Sequence, residues 1–380
     1  METNNMKKMI LFLSISIATL GTVSAATYLV DIVGGGDFTN IQDAIDAASD
    51  GDVIIVNSGV HHINTALDGV ITVDKELTIQ GSGYDLPENG GTTIRSNNSI
   101  FTFTAAAEGS TLRGFRLKGA GTPMVTISAN EMVIENNLFM CVSGNNTYAL
   151  HLNSVSTDTI RNNIFCPGEG GASSSGIYLN LTSNVLINNN LFAGITGTGL
   201  YATRNSNDKI LNNVFAANSG YSLQIGYLNN TYADHAYVGG NIFMNNTNTG
   251  LNYQTGSPTI TNNCFYNNSP DGTVGLESLT QNPLFVNFTT GHSYDEESYD
   301  SDNYDFHLNT GSPAIDVGPQ LPEYRDLDGS LNDMGMYGWL WPTGTNGAPA
   351  MPLINQISVT PTGVAPGETI SIEVIGRFGE

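Results

Sequence analysis

The chain is predicted to be all-β and built as a solenoid of stacked parallel coils, on three observations. A short phrase recurs six times between Met124 and Asn268: an aliphatic strand, then paired Asn, an aliphatic residue and Phe. The stretches between copies are runs of three to six residues with apolar residues on alternate positions, as in Ile177-Tyr178-Leu179 and Leu223-Gln224-Ile225. Gly, Asn, Thr and Ser interrupt every stretch before an amphipathic helix completes three turns.

The six copies are Asn136-Asn137-Leu138-Phe139, Asn162-Asn163-Ile164-Phe165, Asn189-Asn190-Leu191-Phe192, Asn212-Asn213-Val214-Phe215, Gly240-Asn241-Ile242-Phe243 and Asn262-Asn263-Cys264-Phe265. Their second Asn residues are 26, 27, 23, 28 and 22 positions apart. That period is short for helical hairpin repeats. It suits one coil of three short strands plus bends, which takes roughly 22 to 25 residues and stacks about 4.8 Å from the next. The recurring Asn fits such stacking. Asn tolerates a left-handed backbone at a sharp bend, and its amide donates to and accepts from equivalent amides one coil above and below.

Both ends of the repeat region carry segments of their own. In Gly35-Gly36-Asp37-Phe38-Thr39-Asn40-Ile41-Gln42-Asp43-Ala44-Ile45-Asp46-Ala47-Ala48, Thr39 or Asn40 caps a helix whose Ile41, Ala44, Ile45 and Ala48 form one apolar face. Such a face closes the open end of the first coil. Gly51-Asp52-Val53-Ile54-Ile55-Val56 then reads as the first strand, with His61-His62 in a turn after it. At the far end come Asn282-Pro283-Leu284-Phe285, Asp305-Phe306-His307-Leu308, Gly311-Ser312-Pro313-Ala314-Ile315-Asp316 and Asp333-Met334-Gly335-Met336-Tyr337-Gly338.

With these segments in view, the chain resembles the right-handed parallel β-helix proteins of the pectate-lyase-like superfamily over about residues 28 to 340. The opening segment resembles that superfamily's capping helix and first strand, and residues 282 to 338 resemble the closing segment of secreted β-helix proteins. The resemblance implies architecture rather than activity. Polygalacturonase-type hydrolases of the superfamily carry grouped aspartates with Gly-His-Gly and Arg-Ile-Lys elements, and none of those strings occurs here.

Four segments are expected: a signal peptide at 1–25, the capped β-helix with its closing segment at 26–341, a linker at 342–352 and a partial Ig-like β segment at 353–380. Lys7 and Lys8 precede an apolar run from Met9 to Leu20, and Val23, Ser24 and Ala25 offer small residues for cleavage. That run is shorter than the roughly 20 residues that span a bilayer, and no second long apolar run follows, so no transmembrane segment is expected after cleavage. Beyond the Pro- and Gly-rich linker, Ile357–Pro361 and Thr369–Val374 read as two strands of a sandwich that needs about seven. The expectation is a truncated module.

Removing Lys7, Lys8 and Glu2 leaves 10 basic and 34 acidic residues, a net charge of −24. Such a surface repels nucleic acid and anionic lipid, and suits solubility in an extracellular medium. Three cysteines make no disulfide framework. Cys264 takes an aliphatic position of the repeat and is expected to pack as a small apolar residue. Cys141 and Cys166 fall on successive repeats at different offsets, which disfavours a bridge.

Aligning the repeats assigns side-chain directions, since alternate strand residues face opposite sides. Val125/Ile127, Leu150/Leu152, Ile177/Leu179, Leu200/Ala202, Leu223/Ile225 and Leu251/Tyr253 face the core. Thr126, His151, Tyr178, Tyr201, Gln224 and Asn252 then form one outward column, and Ser128, Asn153, Asn180, Thr203, Gly226 and Gln254 a second. Stacked tyrosines beside a histidine, amides and hydroxyls suit carbohydrate, with Arg204 one residue beyond. The expected contacts are His151, Asn153, Tyr178, Asn180, Tyr201, Arg204 and Gln224. The competing reading is ordinary cross-strand aromatic packing.

Arg113, Glu135 and Arg161 occupy equivalent places on another face and read as a surface ion-pair column. Arg113, Arg116 and Lys118 form the densest basic cluster, one place for a lyase base, while the outward column around His151, Tyr178, Tyr201 and Arg204 is the place for a lyase or hydrolase site. Asp326, Asp328 and Asp333, around Gly329 and Asn332, have the oxygen-rich look of a calcium loop but lack the bidentate Glu of a full EF-hand.

The sequence therefore points to a secreted or cell-surface β-helix that binds a polysaccharide or cell-surface glycan, or acts as an adhesive or structural spacer, with calcium as its one expected cofactor. The alternative is a polysaccharide lyase or glycoside hydrolase. Nothing in the residues sets an oligomeric state.

Overall fold

The computed structural model describes residues 25–63, 69–84, 90–120, 123–141, 147–168, 174–226, 235–288, 304–320, 324–326, 330–338, 353–360 and 371–377. The expected signal peptide, apart from Ala25, and the linker 342–352 lie outside them.

Three parallel sheets run side by side along the chain, and each coil gives one strand to each. The first sheet has ten strands, from Thr27–Val30 to Thr259–Thr261. The second has eight, from Ile71–Val73 to Leu251–Tyr253, and the third has nine, from Gly59–Ile63 to Cys264–Tyr266. In the repeat region the coil order is first sheet, third sheet, second sheet, as in Val133–Glu135, Leu138–Cys141 and Thr147–Asn153.

The Asn-Phe phrase marks the corner between the first and third sheets, and its two asparagines divide the work. The first turns the chain: Asn136, Asn162, Asn189, Asn212 and Asn262 have φ between 50° and 57°, and glycine takes that place at Gly240 with φ 71°. The second is buried and builds the file. The backbone N–H of Asn163 donates to Oδ1 of Asn190 at 2.9 Å, and the Asn163 side-chain amide donates to the same oxygen at 3.1 Å. Equivalent bonds join Asn137 to Asn163, Asn190 to Asn213, Asn213 to Asn241 and Asn241 to Asn263. Each side-chain amide also donates to a carbonyl of the preceding coil, such as Ile160 O for Asn190 at 2.8 Å.

Immediately after this corner, Phe139, Phe165, Phe192, Phe215, Phe243 and Phe265 stack inside the solenoid. Successive ring centroids are 4.7–4.9 Å apart and the planes lie within 8° of parallel. That spacing is the coil spacing itself, so one residue type repeated once per coil generates an offset aromatic stack without further design.

The corner between the third and second sheets carries a shorter Asn file that the repeat did not announce. Ile195 N donates to Asn218 Oδ1, Asn218 N to Asn246 Oδ1 and Asn246 N to Asn268 Oδ1, at 2.8–3.1 Å. The residues just before them, Ala217, Asn245 and Asn267, again have positive φ.

The cap helix spans Ile41–Ala47 with Asn40 as its N-cap, whose Oδ1 accepts from Gln42 N at 2.7 Å. Ile41, Ala44, Ile45 and Ala48 are buried against the first coils, as their spacing requires. Gln42 does more than face solvent. Its carboxamide accepts from Thr72 N and donates to Thr72 O, satisfying the edge strand Ile71–Val73 as a neighbouring strand would.

Two expectations fail at the ends of the solenoid. His61-His62 lies within the strand Gly59–Ile63, not in a turn; His61 pairs in register with Ile94 and is buried, its Nε2 3.2 Å from Asn57 O. Tyr253 pairs with Ile225 but is 39% exposed, because the coil that would bury it is the last of the second sheet.

The closing segment does not simply plug the far end. The third sheet is apolar on its outer face too, through residues such as Met140, Ile164, Leu191, Val214 and Ile242. Phe285, Tyr304, Phe306, Ala314, Met334 and Met336 pack against that face. The turning asparagines hold the segment down: Asn189 Nδ2 donates to Met336 O at 3.0 Å, and Asn212 Nδ2 to Asn332 Oδ1 at 3.0 Å. Gly335 N donates to Gly240 O at 2.7 Å. A Cβ at Gly240 would lie 2.9 Å from both Asn212 Oδ1 and Pro319 Cδ, which explains glycine at the one copy where Asn is missing.

Separately, Leu353–Thr360 and Ser371–Arg377 pair as a two-stranded antiparallel sheet. Cys264 is fully buried and donates its thiol to Gln281 O, as its aliphatic position implied. Cys166 pairs in register with Met140, and Cys141 with Pro167.

Candidate carbohydrate-facing column

The outward column follows from register alone. Thr126 pairs with His151, His151 with Tyr178, Tyr178 with Tyr201, Tyr201 with Gln224 and Gln224 with Asn252, each on consecutive strands of the second sheet. These side chains are half-buried, while Leu150, Leu152, Ile177, Leu179 and Leu200 beside them are fully buried. The parallel column also aligns: Asn153 pairs with Asn180 and Asn180 with Thr203, and Asn180 Nδ2 donates to Asn153 Oδ1 at 2.7 Å.

The rings form one continuous stack. His151 and Tyr178 have centroids 4.8 Å apart at 11°, and Tyr178 and Tyr201 5.2 Å apart at 11°. Tyr148, which sequence reading missed, joins them 5.0 Å from Tyr178 at 26°. It escaped because it stands three residues before His151, outside the strict alternation of the repeat. Since the rings give their faces to one another, the stack presents edges and polar groups outward. Thr126 and Gln224 flank the stack in register at its two ends. Recognition by this surface would run through hydroxyl, amide and imidazole hydrogen bonds more than through a sugar lying flat on a tyrosine.

Electrostatically the column is neutral. Burial lowers the His151 imidazole pKa below its ordinary value, so it is uncharged at neutral pH, and its Nε2 is buried without a hydrogen-bond partner. Burial, with Tyr178 and Tyr201 adding to it, pushes the Tyr148 phenol up to about 12. The Tyr178 phenol is also raised by burial, and the Arg204 guanidinium pulls it partly back. Arg204 is held at this corner by an uncommon backbone. It has φ 57°, and Ser154 and Leu181 on the preceding coils have φ 59° and 57°. None of the residues named in the two columns carries a carboxylate. The acid and base pair that glycoside hydrolysis needs is therefore not supplied by them.

The other sequence-predicted groups are elsewhere. Glu135 pairs in register with Arg113 on one side and Arg161 on the other, and bonds to both guanidinium groups. This is the ion-pair column expected on the first sheet. The basic cluster of Arg113, Arg116 and Lys118 is split between two sheets. Arg113 belongs to the first sheet, whereas Arg116 and Lys118 lie on the third; Arg116 donates to Tyr84 O and Lys118 is buried. A base meant for a polymer's proton would need exposure that Lys118 lacks.

Asp326 and Asp333 come together in the closing segment, where Asp333 N donates to Asp326 Oδ2 at 3.0 Å and Asp316 N to Asp333 Oδ1 at 2.7 Å. Asp328 lies outside the described residues. Among the described residues no three His, Cys, Asp or Glu side chains converge as a metal site, and no helix is long and apolar enough to cross a membrane.

Residues 142–290 match the family described as "Right handed beta helix region". Among solved structures, Geobacillus virus E2 ORF18 is 15% identical with a TM-score of 0.48, over 67% of this chain and 55% of that one. Pectate lyase Pel9A is 13% identical with a TM-score of 0.36, over 83% of this chain and 97% of that one. A catalytic domain of GH87 alpha-1,3-glucanase in complex with tetrasaccharides is 17% identical with a TM-score of 0.36, over 62% and 52%. The chain thus spans about half the length of the first and third of these. A search of curated proteins finds no match to the chain. With three parallel ladders, an Asn file at the phrase's own corner and a match to the family model over its central coils, the chain folds as a right-handed parallel β-helix, the architecture that its resemblance to the pectate-lyase-like superfamily implied.

Proposed function

We propose that the chain is an exported, extracellular or cell-surface protein that binds an uncharged stretch of polysaccharide along the His151, Tyr178 and Tyr201 column. Asn153, Asn180, Gln224 and Arg204 supply polar contacts at its margins. The observation that carries this reading is the continuous stack of half-buried rings with an amide column beside it. An amide- and hydroxyl-rich surface with one cation, Arg204, at its margin suits sugar hydroxyls. The net charge of −24 after leader removal argues against nucleic acid. Export rests on the amino-terminal pattern of Lys7, Lys8 and the apolar run. Calcium at Asp326, Asp328 and Asp333 belongs to the same proposal, as an ion on the closing segment rather than in the glycan column.

The test incubates the protein from residue 26 with a panel of neutral and uronate polysaccharides, with and without calcium, and measures retention and absorbance from new double bonds. Retention of a neutral glycan that is lost in Tyr178→Ala/Tyr201→Ala supports the reading. Retention that survives the double substitution removes this face from the proposal, and turnover replaces binding with catalysis. No retention of any glycan leaves a structural spacer.

A further inference from the structure

The third corner, between the second and first sheets, is built with a different chemistry. In register its column reads Met132, Asp158, Val185 and Asp208, so an acidic residue alternates with an apolar one. Each aspartate reaches back one coil. Met132 N donates to Asp158 Oδ1 at 2.9 Å and Val185 N to Asp208 Oδ1 at 2.9 Å. Asn can occupy every coil because its amide both donates and accepts; an ionised Asp only accepts, so a file of Asp on every coil would stack like charges with no side-chain donor between them.

Both aspartates are fully buried, but they are not equally satisfied. Asp208 Oδ2 accepts from the Thr182 hydroxyl on the preceding coil. Asp158 Oδ2 has no hydrogen-bond partner. The reason lies in one residue. The bridge joining Ser156 to Ser183 aligns Val155 with Thr182, and the preceding coil places Ala129 where a hydroxyl would have to stand to serve Asp158.

We infer that Asp158 carries a proton in the folded solenoid near neutral pH and acts as an acid-set latch, binding its two coils more firmly as the medium is acidified. An isolated buried carboxylate is far costlier than the neutral acid. The charged groups that face it, Asp208 two coils on and Glu131 on the preceding coil, are both acidic and add to that cost. Burial foremost, with these neighbours, raises Asp158 to about 7, and burial raises Asp208 to about 6 against its two hydrogen bonds. The sign follows. Each folded-state value lies above the unfolded 3.8, so the fold binds more protons than the open chain between those limits. Stability is then greatest at the acid end of the window, falls as pH rises through it, and levels off above about 7.

The experiment is the thermal midpoint of the whole chain between pH 4.5 and 8.5, at fixed high salt to screen surface repulsion, for wild type, Asp158→Asn and Ala129→Thr. The wild-type midpoint should fall on going from acid to neutral pH. Asp158→Asn should flatten that fall and raise the midpoint at pH 8.5. Ala129→Thr, which places a hydroxyl as Thr182 does for Asp208, should move the fall to lower pH. If Asp158→Asn does not fold, a 13C titration of the wild-type Asp158 carboxyl carbon decides instead. A transition near 7 supports the latch, and one in the ordinary carboxylate range overturns it. So does an Asp158→Asn variant that keeps the full wild-type slope.

Discussion

Asn189 and Asn190 are neighbours of the same type with opposite tasks. Asn189 has φ 56° and turns its amide outward to Met336 O and Gly338 O of the closing segment. Asn190 turns its amide inward, accepting from Asn163 and donating to Asn213, Ile160 O and Asn188 O. One residue bends the coil and fastens the strap over it; the next joins the coil to its neighbours.

The two tasks should separate by mutation. Asn190→Leu orphans the Asn163 backbone N–H, at about 1–3 kcal/mol, and removes the side-chain bonds to Asn213 Oδ1, Ile160 O and Asn188 O, at about 1 kcal/mol each, so the fold should lose at least about 3 kcal/mol. Asn189→Gly keeps the left-handed bend and removes the strap's two bonds and the bond that the Asn188 amide donates to Asn189 Oδ1, at about 2 kcal/mol. Urea unfolding of both variants measures the difference, and equal losses would contradict the division.

Gly240 tests the strap from the other side. Restoring the repeat with Gly240→Asn drives a Cβ against Asn212 Oδ1 and Pro319, while the inner file needs nothing from that position. The closing segment should loosen first. Limited proteolysis should cut between 304 and 338 faster than in wild type, with the coils up to Tyr266 remaining resistant.

Cys264 reports on the third sheet. Burial, with Asp271 adding to it, pushes its thiol up to about 12, and the thiolate is the reactive form. Folded protein at pH 8 should resist alkylation at Cys264 and react on unfolding. Because the folded value lies above the ordinary 9, this thiol subtracts stability as pH rises from 9 toward 12, so the fold should weaken in alkali. Rapid alkylation of the native protein would show the strand Cys264–Tyr266 to be open.

Much of this was readable from the residues because a solenoid turns sequence spacing into spatial register. Once the phrases at Asn137, Asn163, Asn190, Asn213 and Asn241 are aligned, His151, Tyr178 and Tyr201 must fall side by side, and they do. What escaped did so for physical reasons. Pairing letters cannot say which Asn of a pair points inward, since that depends on φ at the first. The outer face of the third sheet reads as apolar for no evident cause until residues between Phe285 and Met336 cover it. The Asp158 and Asp208 column alternates, so it never repeats at the period of one coil. Tyr148 and Tyr253 lie where regular stacking begins to fail.

Hydrogen exchange of the asparagine amides tests the central claim most directly. If the second Asn of each phrase forms one continuous file, the backbone and side-chain protons of Asn137, Asn163, Asn190, Asn213 and Asn241 should all exchange slowly, through global unfolding alone. In Asn190→Leu the protection should fall at Asn163, which loses its acceptor, more than at Asn241. Fast exchange at these side chains in the wild type, or a loss of protection unrelated to position along the file, would contradict it.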